Sequence, residues 1–132
     1  MSNIVGCIIV SKKDNKVLLL KRSMNDPTDY YKGYWSFLTG HMDEGELPYQ
    51  SMEREIEEEI GIKKNTLKLN KFTSYISGRN NLIHFYYALV PQEFTPSLNE
   101  ENMDYMWCDK DNLPEPLYPG IEKKIETVLT LI

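Results

Sequence analysis

The segment GHMDEGELPYQSMEREIEEEIGI, residues 40 to 62, gathers the side chains of this protein best suited to chemistry. From Asp43 to Glu59 there are eight acids (Asp43, Glu44, Glu46, Glu53, Glu55, Glu57, Glu58, Glu59) and one base, Arg54, a local net of −7. The 132-residue chain carries −5 in total, so everything outside that segment sums to +2. One acidic segment on a near-neutral body argues for a localised cation and, with no basic stripe in sight, against a nucleic acid polymer as partner.

Spacing sharpens this. Residues 47 to 60 read as a helix, with Pro48 in the first turn, where proline is tolerated, and Gly61 as a C-terminal cap. Tyr49, Met52, Ile56 and Ile60 recur at helical intervals and predict the buried stripe. At about 100° per residue, Glu55, Glu58 and Glu59 form a group centred roughly 110° from that stripe, at the shoulder of the buried face, while Glu57 points to solvent. Like charges at this spacing destabilise a helix, and Arg54 can relieve Glu58 at i+4 but not all three. Acid-rich helical stretches usually form a solvated face. The alternative is a hard divalent cation such as Mg²⁺, which takes a few carboxylates, waters and substrate phosphates as oxygen ligands. Glu46 and the glycines at 40 and 45 place a further acid and a pliable backbone just ahead of the helix.

The full pattern resembles the Nudix box, G-x5-E-x7-R-E-U-x-E-E-x-G-U with U a bulky aliphatic residue. Here it reads Gly40, Glu46, Arg54-Glu55-Ile56, Glu58-Glu59 and Gly61-Ile62, with every specified position met. KVLLLKR (16 to 22), YWSFLTGHMDEGE and YMWCDKDNLPE resemble the family's flanking segments; Thr39 stands where many members have a second glycine. The resemblance implies a Nudix fold, an α/β/α sandwich with a mixed β-sheet, in one domain over 1–132. It also implies hydrolysis of a nucleoside diphosphate derivative with Mg²⁺, for which Mn²⁺ substitutes. By position Glu55, Glu58 and Glu59 would bind metal, with the backbone near Gly40 adding a carbonyl. Glu46 and Arg54 would brace loop against helix, Glu46 also reaching a metal through water. The general base implied is a box glutamate, Glu55, or a late-loop acid, Glu101 or Glu100, with Glu93 ranked below them. The preferred substrate is a (deoxy)nucleoside triphosphate. ADP-ribose, a nucleotide sugar or a dinucleoside polyphosphate are alternatives, and a non-catalytic nucleotide-binding module is the rival of another class.

Other residues offer contacts to such a substrate. Arg22 ends the second strand near the expected phosphate site, as either a phosphate ligand or a surface arginine. Tyr30, Tyr31, Tyr34 and Trp35 precede the box and could stack a base, although Tyr34 and Trp35 in a strand also suit the core. Tyr75 and Arg79 rank lower. His41 reads as a solvated loop residue, His84 as a structural histidine, and Trp107 with Met106 as core.

The elements that must position these groups follow from pattern. IVGCIIV (4 to 10) and KVLLLKR predict a hairpin around SKKDN. Strands are also expected at 34 to 40, 66 to 77, 81 to 90 and 105 to 109, joined by a polar loop at 23 to 33 and an acidic, proline-bearing loop at 91 to 104. IEKKIETVLTLI (121 to 132) predicts a closing helix with Ile121, Ile125, Val128, Leu129 and Ile132 inward. Cys7 and Cys108 lie in apolar runs and read as buried free thiols, which favours a cytoplasmic setting. No signal-peptide pattern and no run of about 20 apolar residues is present, so no membrane partner is expected. The assembly state is left as monomer or homodimer.

Overall fold

A computed structural model describes residues 2–132. Among them, seven strands and two helices alternate as β1 (Asn3–Ser11), β2 (Val17–Arg22), β3 (Trp35–Ser36), β4 (Leu38–His41), α1 (Pro48–Ile60), β5 (Asn70–Ile76), β6 (Leu82–Val90), β7 (Asn102–Cys108) and α2 (Ile121–Leu131). The sheet is mixed. β1 pairs in parallel with β6 along its whole length, and β6 pairs antiparallel with β5. The other edge of β1 is divided between β4, at Ile4 to Cys7, and β2, at Val10. β2 carries β7 along one edge and meets β3 at Leu20 and Lys21.

Side-chain alternation along β1 builds two separate cores. Val5, Cys7 and Ile9 join Leu18, Leu20 and Leu38 under Met52, Ile56 and Ile60 of α1. Ile8 and Val10 join Val17, Leu19, Phe37 and Phe85 under Ile121, Ile125 and Val128 of α2. One helix therefore covers each face, the α/β/α sandwich that the sequence resemblance implies. Both faces of β1 are buried, which explains why IVGCIIV is apolar throughout instead of alternating. Both cysteines are free and buried, as expected.

Several boundaries differ from the sequence pattern. The 34–40 run is two strands: β3 pairs with β2, β4 pairs with β1, and Phe37 between them is buried in the α2-side core. β5 begins at Asn70 because Leu67 and Leu69 pack on the α1-side core instead of joining the ladder. β7 begins at Asn102, extended by its pairing with β2. Tyr49 is exposed, not part of the buried stripe, and Ile132 and Met106 are likewise exposed, while Leu129 is half-buried. Trp107 is half-buried against the α1-side core, and its indole N–H donates to the Phe94 carbonyl at 2.9 Å. No helix among the described residues is long and apolar enough to cross a membrane.

Candidate active site

The start of α1 has no side-chain acceptor at its N-cap, Leu47; instead the Leu47 N–H donates to Gln50 Oε1 at 2.9 Å and Pro48 occupies the first turn. The helix stops at Gly61, whose left-handed backbone (φ 80°) lets its N–H reach the Glu57 carbonyl at 3.0 Å. Between these ends Arg54 ties the loop to the helix. Its Nε and one terminal nitrogen grip the two Glu46 oxygens at 2.8 and 3.0 Å. That terminal nitrogen also donates to the His41 carbonyl at 3.0 Å, and the other reaches Glu55 at 2.9 Å and Glu58 at 3.3 Å. Glu46 in turn accepts from Ser51 Oγ and from the Asp43 N–H. These donors, the Arg54 guanidinium first, lower the Glu46 pKa to about 2, and the same contacts hold the Arg54 pKa above its ordinary value.

Glu55 and Glu59 project from the other side of that turn into the body of the protein, only 6% and 3% exposed. With Glu101 they form a group in which each carboxylate places one oxygen within 4.8 Å of the others. Glu59 Oε1 accepts from Asn102 Nδ2 at 3.1 Å, whereas Glu59 Oε2 is buried with no hydrogen-bond partner. Burial foremost, then the Glu101 and Glu55 carboxylates, raises the Glu59 pKa to about 9. Burial and the neighbouring Glu55 and Glu58 charges raise Glu101 as well, with Arg22 opposing. Gly40 of β4 is the floor of this group: a Cβ there would overlap the Glu55 carboxyl. The glycine is thus required by the close approach of a side chain, a more specific reason than backbone pliability.

Glu101 is delivered by a pinned loop. The Ser97 N–H donates to the Ile60 carbonyl at 3.0 Å, the Glu101 N–H to Asn99 Oδ1 at 3.0 Å, and the Ser23 N–H to the Glu101 carbonyl at 2.9 Å. The Trp107 indole holds the same loop at Phe94.

Glu58 stands apart from this group. Its side chain is about half exposed (49%) and turned to Arg54, so the three box glutamates do not share one shoulder. The buried residues of α1 include Ser51 and exclude Tyr49, which centres the buried arc close to Glu59 and leaves Glu58 about 110° away. Glu100 is exposed and outside the three-carboxylate group, and Glu93 is exposed beside Asp14 near the β1–β2 turn. Arg22 forms an ion pair with Asp29 at 3.5 Å and lies 5.3 Å from the Tyr118 ring centroid, its Nε buried and unpartnered. Tyr34 is half-buried against Tyr31, and Trp35 is core. Tyr75 packs on the α2 side of the sheet with Lys124 5.0 Å from its ring centroid, away from the core that α1 covers. Arg79 lies 5.6 Å from the Tyr31 ring centroid, and Tyr31 packs on Tyr118 at 4.5 Å. His41 is exposed and contributes its backbone carbonyl; His84 is half-buried beside Lys71 and Ser74. Asn102 carries no pattern that marks it in sequence; only the fold brings it to the site.

A two-helix sandwich with an arginine-braced loop and acids at the edge of one helix is the arrangement that the resemblance to the Nudix box implies. The NUDIX domain family model matches residues 2–128, and the chain belongs to the Nudix family, whose hydrolases act on pyrophosphate bonds. Over 133 aligned residues it is 28% identical to the CTP pyrophosphohydrolase of Escherichia coli K12, covering 99% of this chain and 93% of that one. The MutT Nudix hydrolase of Burkholderia pseudomallei superposes with a TM-score of 0.71 at 26% identity, over 97% and 99% of the two chains. The Ap4A hydrolase of Caenorhabditis elegans, at 21% identity, shares the fold over the full length of both chains with a TM-score of 0.75.

Proposed function

We propose that the protein hydrolyses a phosphoanhydride bond in a nucleoside triphosphate, releasing pyrophosphate, with Mg²⁺ at the carboxylate group and Mn²⁺ able to replace it. The observation that carries this reading is the trio of buried Glu55 and Glu59 with exposed Glu101, one Glu59 oxygen being left bare. Such a group is unfavourable unless protonated or paired with a cation. Its donor set, all carboxylate oxygen, suits a hard divalent ion. Glu55, Glu59 and Glu101 would hold the ion, with Glu58 at the rim and Glu46 acting through water. When bound, the ion supplies charge neutralisation at the anhydride oxygens and acidifies a water.

The remaining work falls to the chain itself. Arg54 fixes the Glu55 rotamer through its 2.9 Å contact and ties Glu46 to the same turn. Glu101, at the exposed lip of the trio, offers one oxygen toward Glu55 and Glu59, and its second oxygen accepts the proton of the attacking water. It takes this role in preference to Glu100, which lies outside the trio, and to Glu55, which is already engaged by Arg54. Arg22, beside Glu101, receives a substrate phosphate on its guanidinium.

The triphosphate preference rests on the full-length likeness to a CTP pyrophosphohydrolase. A panel of nucleoside triphosphates, ADP-ribose, nucleotide sugars and dinucleoside polyphosphates, incubated with Mg²⁺ in ¹⁸O-water and read by mass spectrometry, tests it. The expected products are a nucleoside monophosphate and pyrophosphate, formed with Mg²⁺ and lost on chelation and in Glu59→Gln. Turnover of another panel member alone moves the substrate. No metal-dependent turnover of any would leave a binding module.

A further inference from the structure

We propose that Asn102 is a positioning residue, whose amide holds one oxygen of Glu59 so that the other stays bare beside Glu55 and Glu101. This inference rests on the reading of the trio as a divalent-cation site. Asn102 is nearly buried (8% exposed), and its Nδ2 donates to Glu59 Oε1 at 3.1 Å. The remaining oxygen, Oε2, has no protein partner. A carboxylate free to turn about its last bond presents either oxygen; one hydrogen bond from behind removes that choice.

The backbone is built to place this amide. Lys21 pairs with Asp104, but the next residue, Arg22, pairs with Asn102, so Met103 is an extra residue in β7 and is left exposed. In an unbroken strand, residues 102 and 105 would face opposite sides of the sheet. Tyr105 packs on the α1-side core, and Asn102 also reaches α1, at Glu59. The bulge resolves this by turning Asn102 onto the α1 side, a known way of re-aiming a side chain near a site. The residue type fits the task. An amide donates to a carboxylate without adding charge, whereas lysine or arginine at this depth would neutralise the trio and compete with a cation. One strand entrance therefore supplies both a member of the trio, Glu101, and the clamp on another, Glu59.

The test is a calorimetric titration of the purified full-length protein with Mn²⁺ alone, comparing wild type with Asn102→Leu, which keeps side-chain bulk and removes the donor. The expected result is a Kd for Mn²⁺ weakened about tenfold or more, the usual scale for loss of a group that orients a metal ligand. The melting temperature should rise less with Mn²⁺ in the variant than in wild type. If wild type binds and Asn102→Leu binds equally tightly, or the variant loses the same melting temperature with and without Mn²⁺, the residue only packs and the proposal is overturned. If wild type itself fails to bind Mn²⁺, the cation reading of the trio falls and takes this inference with it. Should Asn102→Leu not fold, Asn102→Ala, smaller and also without the donor, makes the same comparison.

Discussion

At the scale of single residues, two carboxylates on either side of Arg54 in the sequence have opposite electrostatics. Glu46 is surrounded by donors, with a pKa lowered to about 2, so its charge favours the fold. Its contribution is complete above the ordinary carboxyl range near 4.5 and disappears as pH falls toward 2. Glu59, raised to about 9, does the reverse. The folded form retains a proton that the unfolded chain gives up near 4.5, so stability without metal falls as pH rises from there toward 9. Urea denaturation of the chelated protein from pH 5 to 9 should show that decline, and Glu59→Gln should flatten it. Activity of Glu59→Gln with Mg²⁺ should drop about a hundredfold or more, since charge stabilisation by a bound metal is worth several kcal/mol. Gly40→Ala should also lose about a hundredfold in kcat, because a methyl group in the place of the Glu55 carboxyl displaces it by about an ångström or more. Box spacing makes Gly40, Glu46, Arg54, Glu55 and Glu59 readable in the sequence. Asn102 was not readable, because its 43-residue separation from Glu59 is bridged only by tertiary structure.

At the scale of elements, the loop from Pro91 to Glu101 matters as much as the helix, since it carries the trio's third acid. It holds its shape through few contacts, among them the Trp107 indole on the Phe94 carbonyl and the Ser97 N–H on the end of α1. Trp107→Phe keeps the ring and deletes that donor. It should cost about 1 kcal/mol in urea denaturation, raise amide exchange in residues 93 to 101, and lower kcat more than it raises KM. Helix α1 was legible from its periodicity, yet its exposed and buried sides were not fully so. Tyr49 satisfies the apolar interval but sits in the first turn, beyond the sheet, while Ser51 is buried because Glu46 folds back over it. The split of residues 34 to 41 into β3 and β4 escaped the sequence for a related reason: no proline or turn pair separates the halves, and only their different partners, β2 and β1, do so.

At the scale of the molecule, repulsion among the trio would link folding to uptake of the proposed cation. Added Mg²⁺ should raise the melting temperature at pH 8 in proportion to RT ln(1 + [Mg²⁺]/Kd), by about 2.7 kcal/mol of stability at a hundredfold excess over Kd. The effect should shrink toward pH 5, where protons compete for the same oxygens; differential scanning calorimetry at the two pH values checks it. The sandwich itself was foreseeable because two amphipathic helices and unbroken apolar strands leave few other ways to bury both faces. Strand β1 feeds odd-numbered side chains to one core and even-numbered ones to the other. Inserting or deleting a single residue between Val5 and Val10 would therefore exchange the two sets wholesale, mismatching both helices at once. Length variation in relatives of this chain should accordingly be absorbed in the connecting loops, while this central ribbon keeps its count.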